Sequence, residues 1–462
     1  MKLSSAFAIA FLCAVPAHAQ NEGAVHSEFR QEGEKVRESC SGWSVKEIGG
    51  CAVTLATEHP LHVAFGSIAP QSGMGFGAAL LGHHTPNRNW RLSWNGDGVA
   101  STGGSWRTGV YLKMIRTAVR APQVVPGGVA VPASPPDRGA YPVFTVFAQS
   151  ASLKDLRFYG LGPSSSEDGE AVWNLRETMV GGDVLFPVKS GAAGLSLIGG
   201  FTERFVDVGG SSSDSVPAIG QLYTDTTAPG LTSQPRYAQV TGGAIMRPFW
   251  LNGRVQPTYL FTVDKFIASS GSPDSFWRWN LDVAHVVPLY RTTRPSVTAN
   301  GPDDCAQSLE SATCPAVSRN RDGSIGVRFL TTASVASTGG AVPFYFQPTI
   351  GGSDLNGMPI LTSFADYRFR APNRVALQES FDHSLPFWAL GVIVMAEQGK
   401  VALNRGDLNL SGLVHSYAAG LTVRAGGFPQ IMLLFAWGNE GHHIGATINP
   451  SLLGGAARPS FY

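Results

Sequence analysis

The chain has 462 residues, with 34 Lys and Arg against 33 Asp and Glu, a net charge of +1, and 15% charged residues, where a soluble domain carries about 25%. That balance excludes the basic footprint of a nucleic-acid binder and the acidic excess that would draw a basic partner. The 55 glycines and 30 prolines disfavour long helices, while 43% hydrophobic residues exclude a disordered chain, so the apolar side chains are expected to be buried or to face lipid.

Residues 1–19 read as a signal peptide: Lys2 is the positive start, Leu3 to Val15 the apolar stretch, and Ala17-His18-Ala19 the small-x-small cleavage site. Leu12 before Cys13 is not the small residue a lipid-anchored precursor needs, and the mature protein is expected from Gln20. Residues 20–72 read as a short periplasmic segment: a charged helix over Ala24–Ser39, a Cys40–Cys51 loop and an apolar stretch from Leu61 to Ile68. Cys40, Cys51, Cys305 and Cys314 form two close pairs, which suits two disulfides in an oxidising compartment. Zinc is the rival reading, disfavoured by the lack of C-x-x-C spacing.

No apolar run after residue 19 is long enough for a spanning helix, so a membrane-integral chain would have to be a closed sheet. From residue 73 to 453 the dominant pattern is period-two alternation between turn-forming clusters. Trp90, Leu92 and Trp94 alternate with Arg91, Ser93 and Asn95; Val110, Leu112 and Met114 with Tyr111 and Lys113; Trp277, Trp279 and Leu281 with Arg278, Asn280 and Asp282. Strands are predicted over 73–82, 89–95, 105–119, 140–152, 171–188, 193–206, 236–249, 253–268, 275–290, 323–337, 343–351, 373–385, 387–397, 413–425, 429–438 and 442–453. These are about sixteen, an even number as bacterial barrels require. Residues 454–462 are left as a tail.

The expected fold is all-β, a transmembrane antiparallel β-barrel with lipid outside and a wet or plugged lumen inside. A soluble β-sandwich also alternates, but strand length, Arg, Lys and Asp on the non-apolar face, and aromatic residues near strand ends favour the barrel. Met432 and Leu434 on the inner parity suggest packing against a plug. Glu379 and His383 on the outer parity suggest a bulge. Segments 207–235 and 291–322 are expected as long external loops. Arg91, Arg107, Lys113, Arg254, Arg278, Arg328 and Arg424 are expected inside, lining an anion-favouring channel or forming ladders with Asp282, Asp382 and Glu397.

Between about 340 and 403 the order of features resembles the C-terminal barrel of the bacterial surface antigen superfamily, whose best-known member is the central barrel of the outer-membrane protein assembly machine. Phe344-Tyr345-Phe346, Gly351-Gly352, Leu355-Asn356-Gly357-Met358, Tyr367 to Asn373, Gln378-Glu379 and Ala396 to Val401 carry the likeness. Phe158-Tyr159-Gly160-Leu161-Gly162 and Ala436-Trp437-Gly438 add to it. The resemblance implies a loop between strands 11 and 12 that folds into the lumen, with an Arg at its tip bonded to a wall acid. Here the tip is Asn356-Gly357 and the wall acid Glu397, so the contact is lost or passes to Arg368 or Arg370. Residues 20–72 are too short for a polypeptide-transport-associated (POTRA) domain, which places the chain with the barrel-only branch.

His-Glu-x-x-His, Gly-x-Ser-x-Gly and phosphate-loop motifs do not occur. His83-His84 and His442-His443 are adjacent on strands and point to opposite faces, which disfavours a metal. No enzyme, cofactor or metal site is expected. The reading is an outer-membrane barrel of a Gram-negative bacterium in membrane biogenesis or in transport of polypeptide or lipid, the alternative being a passive pore or structural barrel. Its partners would be outer-membrane lipid and a client polypeptide or lipid, with no nucleic acid, as a monomer or small homo-oligomer.

Overall fold

A computed structural model describes residues 61–87, 89–116, 123–124, 130–131, 142–188, 193–211, 215–251, 254–269, 272–295, 318–385, 390–425, 428–448 and 459–461. The signal segment, the Ala24–Ser39 helix and all four paired cysteines, Cys40, Cys51, Cys305 and Cys314, lie outside them.

Sixteen strands form one antiparallel sheet in which every strand pairs with its neighbours in sequence. They are β1 (Leu61–Gly66), β2 (Gly75–Asn87), β3 (Trp90–Ser101), β4 (Trp106–Arg116), β5 (Val143–Phe158) and β6 (Ala171–Pro187). Next come β7 (Leu195–Gly210), β8 (Tyr237–Met246), β9 (Gln256–Ala268), β10 (Phe276–Pro295) and β11 (Ser318–Ala336). The last are β12 (Asn373–Ser384), β13 (Leu390–Ala402), β14 (Val414–Ala425), β15 (Phe428–Gly438) and β16 (Gly441–Ile448). Two-residue pairs, Gln123–Val124 with Ala130–Val131 and Thr349–Ile350 with Phe369–Arg370, stand apart.

The count of sixteen matches the expectation through two errors that cancel. Residues 343–351 are not a wall strand; they open the long connection between β11 and β12, with a 3₁₀ turn at Phe344–Phe346. Leu61–Gly66, expected in the periplasmic segment, is instead the first strand, so the sheet starts before residue 73. Both stretches are short, and period alone does not separate a wall strand from a buried loop.

A sheet that meanders strictly in sequence puts alternate connections at opposite rims. Connections 67–74, 102–105, 159–170, 211–236, 269–275, 337–372, 403–413 and 439–440 share the first rim, and the others share the second. The two long loops expected on one side therefore open at opposite rims, since 211–236 joins β7 to β8 and 296–317 joins β10 to β11. At the second rim β10 and β11 continue past their outer neighbours and pair only with each other beyond Val286 and Gly323.

The two faces divide as the alternation requires. Outward Val110, Leu112, Val146, Phe201, Phe261, Val327, Leu421, Leu433 and Phe435 are exposed and large, a surface suited to hydrocarbon and not to water. Aromatic pairs mark the band's margins: Trp90 with Phe144 and Tyr259 with Trp250 toward the second rim, Tyr417 with Trp437 toward the first. Glu379 and His383 face outward with no register shift in either ladder of β12, so no bulge is present. His383 accommodates its position through a 2.6 Å bond with Tyr290 Oη and a stack on Phe381. Arg254 precedes β9 and is exposed at the second rim, outside the expected inner row.

Candidate functional site

The inner face is a ladder of paired polar groups running across the wall. Arg204 on β7 bonds Glu177 on β6 at 2.7 Å and Gln239 on β8 at 2.7 Å. Gln239 donates to Asp264 on β9 at 2.9 Å, and Asn280 on β10 donates to the other oxygen at 3.1 Å. Arg328 on β11 grips Asp282 on β10 through two bonds of 2.9 and 2.5 Å, the rigidifying ladder expected for this pair. Arg107 and Arg278 are 5% and 1% exposed.

What buries them is the connection 337–372, which folds inward from the first rim and is buried over most of its length. Its local chemistry explains the fold-back. Gly351 and Gly352 have φ of +104° and +59°, and a Cβ on Gly352 would stand 2.5 Å from Asp366 Oδ1 and 2.7 Å from the Asp366 backbone. Only glycine admits that approach. Asp354 Oδ1 accepts from the N–H groups of Asn356 and Met358, both at 2.9 Å, closing the tip turn in which Gly357 takes φ of +77°.

At the first rim the loop enters an aromatic collar. Phe344 meets Trp173 at 4.7 Å and Phe158 at 5.3 Å, Phe346 meets Tyr237 at 5.0 Å, and Phe266 stacks on Phe276 at 4.3 Å. Guanidinium groups sit among these rings: Arg278 lies 5.0 Å from Phe266 and Arg370 lies 5.7 Å from Trp173. Each also donates to the loop backbone, Arg278 to Phe346 O at 2.5 Å and Arg370 to Phe344 O at 2.8 Å. Deeper in, Arg374 donates to Thr349 O at 3.0 Å and Gln378 to Pro359 O at 2.8 Å.

The wall acid Glu397 is 1% exposed and does bind the loop, but not through a cation. One oxygen accepts from Thr362 N at 2.6 Å and Thr362 Oγ1 at 2.8 Å; the other accepts from Gln378 Nε2 at 2.8 Å. Ser363 N donates to Ser416 Oγ on β14 at 2.9 Å alongside. The lock therefore falls on Thr362, not on Asn356, and neither Arg368 nor Arg370 takes it over. Arg368 instead holds Glu440 with two bonds of 2.9 and 2.8 Å and Ser165 O at 2.8 Å, while the adjacent Tyr367 donates to Pro70 O at 3.0 Å. Pro70 follows β1 and Glu440 precedes β16, so both ends of the sheet meet on one loop and the wall curls into a barrel. Among the described residues no ladder joins β1 to β16.

A cavity of about 540 Å³ lies at this seam, lined among others by Gln71, Arg107, Asn356, Asp366, His443 and Phe461. The sequence did not point to Thr362, Glu177 or Arg204. Inner parity was the signal available for the last two, since Glu177 and Arg204 fall on the polar face of strands that were predicted. The apolar inner face of β15 packs on its wall neighbours, Leu434 among Ile393, Met395 and Ala418 of β13 and β14, and not in a cluster with the plug that the sequence suggested.

No family profile and no curated protein matches this sequence. Among solved structures, BamA from Haemophilus ducreyi lacking POTRA domains 1–3 aligns over 89% of this chain and 80% of its own, at 10% identity and a TM-score of 0.45. CdiB from Acinetobacter baumannii aligns over 82% of this chain and 55% of its own, at 12% identity and a TM-score of 0.44. CdiB from Escherichia coli gives 82%, 59%, 13% and 0.45. The chain thus spans a little over half the length of both CdiB chains. The barrel itself rests on the strand order and register given above.

Proposed function

We propose that this protein is an outer-membrane barrel of a Gram-negative bacterium, exported through the segment 1–19, that acts on polypeptide during secretion or membrane assembly. The observation that carries this reading is the seam. Among the described residues β1 and β16 end the sheet order without pairing to each other, while Tyr367 and Arg368 of a lumenal loop hold the connections next to both. A barrel margin of that kind offers unpaired backbone groups to an incoming strand, and strand addition is how sheets bind extended polypeptide. A passive pore would need an open lumen, and the inward connection 337–372 is buried over most of its length.

The reading is tested in the source bacterium by removing the protein and comparing outer-membrane and secreted protein composition. Loss of particular barrels or secreted chains supports it, and an unchanged composition overturns it. Planar bilayers supply a second check: the plugged lumen is expected to stay closed with rare flickers, and steady ion-selective openings would argue for a pore.

A further inference from the structure

Inside the barrel a short stretch of the chain's own tail is held as a ligand would be. Arg204 Nη2 donates to Ser460 O at 2.8 Å and Nη1 to Phe461 O at 3.2 Å, while Phe461 N donates to Asn356 Oδ1 at 3.0 Å. Phe461 is 5% exposed and belongs to the apolar cluster that includes Leu355 and Phe346. The receiving groups are fixed beforehand, because Glu177 and Gln239 hold Arg204 from the wall and Asp354 holds the turn that carries Asn356.

All three bonds reach main-chain atoms, so they recognise an extended peptide without reading its sequence. Selectivity is left to one aromatic side chain. Asn356 occupies the loop position at which the superfamily resemblance expects arginine. A guanidinium only donates hydrogen bonds and would leave the Phe461 N–H without an acceptor, whereas the amide oxygen of asparagine supplies one. The cavity of about 540 Å³ beside Phe461 has room for more chain than the tail fills.

We propose that Arg204, Asn356 and the pocket around Phe461 form a peptide seat in the lumen. Its ligand is an extended segment bearing an aromatic side chain, and residues 459–461 are the resident occupant that such a segment displaces. The seat goes beyond the function proposed above and does not depend on it, because binding is measured on purified protein without any client or cell. A tethered occupant competes at an effective concentration on the order of millimolar, so the seat's own affinity shows only when the tail is removed or disarmed.

The experiment is fluorescence anisotropy of a labelled Arg-Pro-Ser-Phe-Tyr peptide with detergent-folded protein, each variant first checked for heat-modifiable migration on a gel. Three proteins are compared: the full chain, a chain ending at Arg458, and the full chain with Phe461→Ala. Saturable binding to the second and third, roughly tenfold or more tighter than to the first, is expected. Replacing Phe by Ala in the peptide should weaken binding by about tenfold or more, and so should Asn356→Arg in the chain ending at Arg458. The proposal is overturned if no folded variant binds saturably, if the full chain binds as well as the others, or if the peptide's Phe makes no difference. Should the shortened chain fail to fold, the Phe461→Ala protein decides.

Discussion

Glu397 shows how a carboxylate can sit almost fully buried without a cation. Its oxygens are filled by Thr362 N, Thr362 Oγ1 and Gln378 Nε2, three neutral donors where a single guanidinium was expected. Glu397→Ala should loosen the loop by about 3 kcal/mol and Thr362→Val by about 1–2 kcal/mol, read as lower midpoints of heat-modifiable migration and as more frequent bilayer openings. The Arg204–Glu177 pair makes a different prediction, because both charges are buried. Glu177→Ala alone should cost about 3–5 kcal/mol by stranding Arg204, whereas the double change Glu177→Ala with Arg204→Met should cost less than the single one. Asp366, in the lumenal loop, adds a pH dependence. Burial pushes its carboxyl pKa up, against the opposing pull of the Ser353 N–H bond, of His443 and of Gln71. A carboxyl raised on folding costs stability at pH above both of its pKa values, and the cost fades as pH falls and the proton binds. Asp366→Asn retains the Oδ1 acceptor, so it should outlast the parent on heating near neutral pH, with the difference shrinking in acid.

Among the elements, the wall was legible and the loop was legible in part. Wall strands such as β4 and β10 present one apolar and one polar face, and period-two alternation records that directly. β1 is six residues long, too short to show a period, and by sequence it reads as part of the leading segment. Residues 343–351 read as a strand because Phe344, Phe346 and Ile350 are large and apolar, yet those side chains are buried within the lumenal connection. Gly351, Gly352 and Gly357 could be placed at turns from sequence, but the lock residue could not. Which loop side chain meets Glu397 depends on how far the fold-back reaches, and a carboxylate accepts from a threonine as readily as from an arginine. Gly352→Ala should be destabilising by about 1–3 kcal/mol, since both the positive φ and the Asp366 backbone resist a Cβ; the loss of heat-modifiable migration at lower temperature measures it. Removing Leu61–Gly66 should leave β2 as a bare edge and abolish heat-modifiable migration, whereas a wall that began at residue 73 would tolerate the deletion.

For the molecule as a whole, an exposed apolar band outside and a hydrogen-bonded interior belong to one design, in which lipid and loop each cover what the single sheet cannot. Neighbouring strands elsewhere in the wall are joined by long ladders, and parting them would break many bonds together. At the margin between first and last strands the fastening is of another kind. Two consecutive side chains, Tyr367 and Arg368, act as a clasp whose arms reach Pro70 on one side and Glu440 on the other. Tension on the plug therefore loads both arms together, and the cylinder would part lengthwise at its clasp before any stave came loose.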